Sequence, residues 1–576
     1  MKALLAYAAA AALLLDNAQA LLVLRPQQRR TQLRATSSVL ERDVARLAER
    51  SASWAESKPQ ERAAVAEACL ECLRAEPWDA GWLGAQTGLE STNPSQTRYV
   101  GAQTDLESTN PSQTRYVFGA VVGDWLETFI DAQSSSSRTR EAFEKGERVP
   151  LGLAVPGATA EIRRGAAEAT QAKAPPGTVS VVLGAGNQSF LALIDVLQRA
   201  LIEGGCVVLK HHPLRPFLLA PYAAILGPLI ELDVVAQVLD EGVEAAAALV
   251  AHDRVGHVHL TGGEATRDAV RRTLDAAGKA SVEVTAELGC VTPWIVAGGE
   301  WTAKELKLGA RNLVAAKKAN GGSNCLSPQI VVVAKDWAQK NDFLERVEGE
   351  LKRQRDEVAY YPGARERRDN ALEACGEKPL GASDAIGFAR NTCEMALETE
   401  VFGPFLAVCE IEGGLLEQAD FANEKCRGTL SCVVLTPDSL NTIMQMAVVD
   451  RLRYGCVAIN VWSAFGYTAL ARGATWGAHG SDDASGSGII GNHYGIPDVE
   501  KSVVRGGPLR KTVDLSATPP AVVFDALFEA LVRRKGTGAV ASVVARRTLG
   551  ALRGLVPVGP REGVWGAAAV IFCNLF

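Results

Sequence analysis

Thr178-Val179-Ser180-Val181-Val182-Leu183 runs into Gly184-Ala185-Gly186-Asn187, and the pattern then changes from a strand's to a helix's over residues 190–202. The first six residues are an apolar, β-branched run of strand length. The glycines punctuate it as a turn. A second run, Cys206-Val207-Val208-Leu209, ends at Lys210. Strand, turn, helix and strand in this order predict a parallel crossover and an α/β fold.

The same alternation continues outward. Residues 218–229 have helical spacing and 232–238 a weaker strand pattern, and His257-Val258-His259-Leu260 is a strand entering Thr261-Gly262-Gly263. A helix over 265–277 follows, then Val282-Glu283-Val284-Thr285 running into Ala286-Glu287-Leu288-Gly289. These repeats predict a doubly wound parallel sheet, which binds ligands at the carboxyl ends of its strands. Asn187, Lys210 and Gly262 fall there. The turn at Gly184 continues as Asn187-Gln188-Ser189, so the GxGxxG dinucleotide fingerprint is not met.

A second α/β block follows, with a strand at 294–297, a helix at 306–318 and a strand at 330–334. Between the last two lies Asn320-Gly321-Gly322-Ser323-Asn324-Cys325-Leu326-Ser327-Pro328. A thiol just past two glycines, in front of a core strand, is placed to face a cleft. On its own it reads more readily as one more buried cysteine among 12. A charged helix at 342–357 and a loop region to about 391 come next.

Composition narrows the classes of function. The chain has 576 residues, 47% apolar and 22% charged, which suits a globular protein of two or three domains. A formal charge of −6 leaves no basic footprint for nucleic acid. No stretch beyond the N-terminus is long and apolar enough for a membrane span.

The N-terminus reads as a targeting segment. Lys2 precedes the apolar run 3–15, and Ala18-Gln19-Ala20 offers a cleavage site. Arg25, Arg29, Arg30 and Arg34 then lie in a hydroxylated stretch with no acid before Glu41. This order resembles bipartite plastid presequences, with secretion (or retention in the endoplasmic reticulum) and mitochondrial import as alternatives. Cys206, Cys409, Cys432 and Cys456 lie singly in apolar runs, as reduced core thiols do, which favours a reducing compartment.

Residues 84–100 read GAQTGLESTNPSQTRYV and 101–117 repeat them with Asp105 in place of Gly88. Two polar copies are too few for a solenoid, so one copy is expected in the fold and the other in a surface loop. Cys69 and Cys72 form a CxxC in a helical stretch without a second pair, and His257 and His259 share a strand face without a third ligand. Packing is the reading for both, and no metal site is expected.

Taken together, the run from Pro176-Gly177 through Asn187 to Lys210, then Thr261-Gly262, Glu287-Leu288-Gly289, Cys325 and Glu400-Val401-Phe402-Gly403-Pro404, resembles the aldehyde dehydrogenase superfamily. Phe421-Ala422-Asn423-Glu424 and the stretch from Tyr454-Gly455 to Asn460 fit the same pattern. Asparagine to lysine is 23 residues, asparagine to glutamate 100, and glutamate to cysteine 38. The resemblance spans residues 39–509 and is to a divergent branch.

It implies an α/β fold with a doubly wound parallel-sheet dinucleotide-binding domain, a second α/β catalytic domain and a small oligomerisation arm. The expected divisions are a presequence at 1–38, helices and the dinucleotide-binding domain at 39–283, and the catalytic domain at 284–480. A return strand at 481–510 and an extension at 511–576 complete the chain. The implied roles are Cys325 as nucleophile, Glu287 as base, and the Asn187 amide with the Cys325 N–H as oxyanion donors. Lys210, Gly262, Glu400 and Phe402 would hold NAD or NADP. The implied reaction is oxidation of a small-molecule aldehyde to a carboxylate. An acylating or reductive member acting on an acyl thioester or phosphate, or a binding protein retaining the fold, are the alternatives.

Two departures bear on the cofactor. Pro213 stands where NAD-preferring members often carry a glutamate, and Arg267 where the family has a second glycine. Trp462, Phe465 and Tyr467 line either a tunnel mouth or the core. Lys501-Ser502-Val503-Val504-Arg505 resembles the strand that pairs across family dimers and tetramers. Phe524, Leu527, Phe528 and Leu531 share one helix face, expected to pack on the body or on a partner.

Overall fold

In the computed structural model, residues 37–75, 111–134, 136–152, 157–165, 174–239, 243–480, 482–512, 514–517 and 521–534 are described. Residues 1–36 of the expected presequence, the first repeat copy and the tail beyond 534 lie outside them. The second copy's end, from Pro111, opens the helix Pro111–Ala132. Proline suits this first helical position, where its missing N–H costs nothing.

Sixteen strands form among the described residues: β1 (Val149–Pro150), β2 (Thr159–Arg164), β3 (Val179–Leu183), β4 (Val207–Lys210), β5 (Val235–Val238), β6 (Val255–Thr261), β7 (Glu283–Glu287) and β8 (Thr292–Val296). The others are β9 (Pro328–Ala334), β10 (Gly387–Ala389), β11 (Phe405–Ile411), β12 (Ser431–Leu435), β13 (Cys456–Ile459), β14 (Thr475–Gly477), β15 (Ile489–Gly491) and β16 (Val499–Arg505). One five-stranded sheet has the order β5-β4-β3-β6-β7, all parallel. A nine-stranded sheet has the order β1-β2-β16-β13-β12-β8-β9-β11-β10, parallel except where β2 joins.

The doubly wound sheet and the second α/β unit are thus both present. Because β7 pairs with β6, the change of sheet falls after Glu287 rather than at residue 283. Strands buried on both faces read as continuous Val and Ile runs, as β9 does with all seven residues buried.

Within residues 158–174, β2 lies against β16 with Glu161 joined to Arg505 at 3.1 Å. Two expectations fail. The loop region to 391 contains the helix Ala364–Ala374 and β10. Finally, β16 is paired on both sides within its own chain, by β13 and β2, so both its edges are taken before any partner arrives.

The described part of the C-terminal extension packs on the body. Phe528 and Val532 press on Gly119 of the helix Pro111–Ala132, and Arg115 reaches Asp525 at 2.9 Å. Among the described residues, no helix is long and apolar enough to cross a membrane. Cys206, Cys409, Cys432 and Cys456 are buried free thiols, whereas Cys375 and Cys393 form a disulfide that nothing in their spacing announced.

Candidate active site

The loop bearing Cys325 is built by the helix Ala303–Lys318. Thr302 and Glu305 cap its start in a reciprocal box, and Lys317 and Lys318 lie at its negative end. Lys318 Nζ is held by Leu351 O at 2.6 Å and by Asp356 Oδ1 at 2.7 Å. Asn320, Gly321 and Gly322 then turn in succession with φ of 59°, 58° and 74°. The glycines are required here. A Cβ on Gly321 would lie 2.3 Å from Val358 O, and one on Gly322 would lie 2.4 Å from Gly403 O. Glu357 Oε2 accepts the Asn320 N–H at 2.7 Å, which ties the turn down.

Cys325 emerges 8% exposed at the junction of the two sheets, just before β9. Its Sγ donates to Glu287 Oε1 at 3.5 Å and lies 3.4 Å from the Tyr467 hydroxyl. Tyr467 also donates to Glu287 Oε1 at 3.4 Å, which closes a triangle of thiol, phenol and carboxyl. Glu287 is 4% exposed and ends β7, where its backbone bridges to Gly486 of the segment after β14.

Burial governs the electrostatics. It pushes the Glu287 carboxyl up to about 7 and holds the Cys325 thiol well above its ordinary value. Cys325 is therefore a neutral thiol beside a buried carboxyl, and not a preformed thiolate.

Asn187 lies in the same place, but its amide is engaged: Nδ2 donates to Ser323 O at 3.3 Å. Its own carbonyl accepts from Asn320 Nδ2 at 3.0 Å, so Asn187 is locked to the nucleophile loop from both ends.

Glu400 sits across the loop 287–290. Its Oε2 would be 1.8 Å from a Cβ on Gly289, and its buried Oε1 accepts no hydrogen bond among the described residues. Burial lifts this carboxyl to about 8, against the opposing pull of the Cys290 N–H and Lys317. Lys317, buried beside Ser327 Oγ at 3.1 Å, is lowered by burial to about 7. Phe402 has φ of 44° and meets the Tyr361 ring edge-on at 4.9 Å, while Arg367 holds the Val401 and Phe402 carbonyls at 2.7 and 3.0 Å.

Lys210 ends β4 and Gly262 follows β6, both at carboxyl edges as expected. The His212 ring covers Gly186, and His211 bonds Gln237 at 2.8 Å. Burial lowers both imidazoles to about 4, so neither carries charge at neutral pH. Arg267 points aside, bound to Asp268 at 2.8 Å and to the Asp483 carbonyl. His257 and His259 both bond Thr285 Oγ1, each at 2.9 Å.

The structure thus gathers Cys325, Glu287 and Asn187 at one point, with Glu400 against the same loop. The contacts of Tyr467 and Lys317 with the acidic side chains were not anticipated. Tyr467, read as lining a tunnel mouth or the core, touches both Cys325 and Glu287 and packs on Phe190 and Trp476 as well.

The α/β fold thus holds a buried thiol and carboxyl together at the junction of its two sheets. Comparison with known proteins finds a family likeness. Residues 130–357 match the aldehyde dehydrogenase family. An aldehyde dehydrogenase from Craterostigma plantagineum is 28% identical over 217 residues, 37% of this chain and 41% of that protein. Aldehyde dehydrogenase family 3 member I1, chloroplastic, from Arabidopsis thaliana is 28% identical over 163 residues, 28% of each chain. The matched part of the chain thus spans less than half the length of either relative.

Among solved structures, the aldehyde dehydrogenase KauB from Pseudomonas aeruginosa superposes with a TM-score of 0.56 at 18% identity, covering 82% of this chain and 89% of that one. The NADP-dependent glyceraldehyde-3-phosphate dehydrogenase from Bacillus halodurans C-125, complexed with NADP, gives 0.54 at 14% identity, covering 82% and 91%. The likeness to the aldehyde dehydrogenase family thus lies in residues 130–357, and the solved structures show that the fold is shared.

Proposed function

We propose that this chain oxidises an aldehyde to a carboxylate with NAD or NADP, through a thioester on Cys325. The observation that carries the reading is the buried pair of Cys325 Sγ and Glu287 Oε1 at 3.5 Å. A neutral thiol becomes a nucleophile by giving its proton to such a base. In this reaction the Cys325 sulfur adds to the aldehyde carbon and the carbonyl oxygen gains negative charge. The Cys325 N–H and the Asn187 amide, once released from Ser323, are the donors to that oxygen. After oxidation the acyl group remains on sulfur. Glu287, having passed the thiol's proton to solvent, then takes a proton from the attacking water and returns it to the departing sulfur, so the carboxylate leaves as the thiol reforms. A base positioned for water favours hydrolysis over transfer to another acceptor.

The residues present fit a dinucleotide. Glu400 Oε1 is a buried acceptor with no hydrogen-bond donor among the described residues, and at Gly262 a Cβ would meet only Leu260 Cδ1, at 3.6 Å. Lys210, Gly262, Glu400 and Phe402 would hold the cofactor, which supplies the hydride acceptor. Pro213 and the neutral histidines place no negative charge against a 2′-phosphate, so NADP as well as NAD is a candidate. The N-terminal segment is proposed to direct the protein to a plastid, the destination in the printed name of one Arabidopsis relative.

The test is a panel of aldehydes with NAD or NADP, followed by the absorbance of reduced nicotinamide. Wild type should turn over, Cys325→Ala should be silent, and Glu287→Gln, lacking the base for thiol and water alike, should lose both the first-turnover burst and the steady rate. Absence of both turnover and cofactor binding in the wild type would sink the proposal.

A further inference from the structure

One face of the five-stranded sheet carries a buried polar track that the reaction above does not use. Thr261 and Glu287 are register partners on the parallel strands β6 and β7, so their side chains leave the same face. Thr261 Oγ1 donates to Asp195 Oδ2 at 3.2 Å. Asp195 lies on the helix Leu191–Leu197, which covers that face, and is 0% exposed. Its other oxygen, Oδ1, lies 3.5 Å from His259 Nε2 and accepts no hydrogen bond among the described residues.

Arg199 and the histidines of β6 surround Asp195. On its own helix run the nearest cation is Arg199, in the π-helical turn Gln198–Ile202, but Arg199 is ion-paired with Glu203, their side chains 1% and 2% exposed. From β6, His259 shares Nδ1 with Arg199 Nη2 at 3.2 Å and with Thr285 Oγ1 at 2.9 Å. His257 is turned to Ser180 and Thr285, and burial lowers it well below its usual value, so it stays neutral. Facing Glu287 are Cys325 and Tyr467, neither of them a cation. Lys317 is the site's own cation, and it faces Glu400.

A buried negative charge beside a second carboxyl makes that carboxyl hold its proton. Two carboxyls in unequal surroundings divide the roles of charge and base between them. We propose that Asp195 is a positioning residue for this site: its buried charge, anchored by Thr261 and His259, sets when Glu287 becomes a base for Cys325. The inference rests on the pairing of Glu287 with Cys325 given under the proposed function. Burial is the larger cause of the rise at Glu287, and Asp195 adds to it in the same direction.

The experiment reads the thiol and needs no aldehyde or cofactor. The full-length protein is treated with iodoacetamide across a pH series, and alkylation of Cys325 is followed by mass spectrometry of its peptide. In the step observed, the Cys325 proton passes to Glu287 Oε1, the sulfur lone pair forms the new carbon–sulfur bond, and iodide leaves. In wild type the rate rises as Glu287 loses its proton, and Glu287→Gln lacks that rise. Asp195→Asn, of the same shape without the charge, should move the rise down by about one pH unit. Thr261→Val removes the donor that stabilises the Asp195 anion. It should move the rise in the same direction by less, and it carries the test should Asp195→Asn not fold. Wild type and Glu287→Gln giving one profile would overturn the Glu287–Cys325 pairing itself. A Glu287-dependent rise that stays at its wild-type pH in the folded variants would overturn the role of Asp195 alone.

Discussion

Tyr467→Phe separates the phenol's chemistry from its packing. The ring meets Phe190 at 5.2 Å and Trp476 at 4.3 Å, contacts that phenylalanine keeps. What is lost is a hydroxyl 3.4 Å from both Glu287 Oε1 and Cys325 Sγ. A hydrogen bond to a charged group contributes roughly 1.5–3 kcal/mol net, and the long distance points to about 1.5. One pH unit corresponds to about 1.4 kcal/mol. The carboxylate loses a donor, so Glu287 should bind its proton more tightly and move from about 7 to roughly one unit higher. At pH 7 the ionised fraction would fall about fivefold, and at pH 9 hardly at all. The assay is single-turnover deacylation: Cys325 is acylated with an activated ester and release of the acid is timed across pH. A midpoint that stays put, or moves down, would refute the view that Tyr467 supports the ionised base.

Three further outcomes are expected. Glu400, lifted by burial from about 4.5 to about 8, contributes stability that is fully present below about pH 4.5 and lost as pH rises through about 8. Glu400→Gln should therefore match wild type in thermal midpoint near pH 4.5 and exceed it at pH 8.5. Phe528→Ala, which opens the contact with Gly119, should cost about 3 kcal/mol in urea unfolding, whereas an ornamental extension would cost nothing. Cys393→Ser should lower stability by about 3 kcal/mol under oxidising conditions, since the disulfide closes a loop of sequence separation 18, and the difference should vanish in dithiothreitol.

Much of the fold is legible in the chain because β3, β4, β6, β8 and β9 are buried and leave unbroken apolar runs bounded by glycine. Site residues at strand ends could be placed from the same runs. What escaped was polar matter that the fold buries. The helix Ala364–Ala374 reads as a charged loop, yet Arg368 is 0% exposed because the Ser383, Ala385 and Gly381 carbonyls take its protons. β2 carries no clear strand signal because its Glu161 and Arg163 look solvated, although Glu161 is buried against Arg505. Tyr467 lies 180 residues from Glu287, and no local period records a contact so distant. Glycine pairs, by contrast, speak locally, and the left-handed turn before Cys325 could be anticipated.

The strand β16 also dictates an order of assembly. It stands between β13 and β2, so residues 159–164 wait for partners that arrive only at 499–505. A chain emerging from a ribosome, or threading through a membrane pore, carries β2 without a neighbour on that side until nearly the whole polypeptide is available. Closing a loop of that length is slow relative to local pairing, and an unpaired edge invites association meanwhile. Truncation just before Val499 should therefore yield a molecule whose thiol site is fully encoded but whose sheet is left split. Its fate would be decided by chaperones rather than by the chemistry at Cys325.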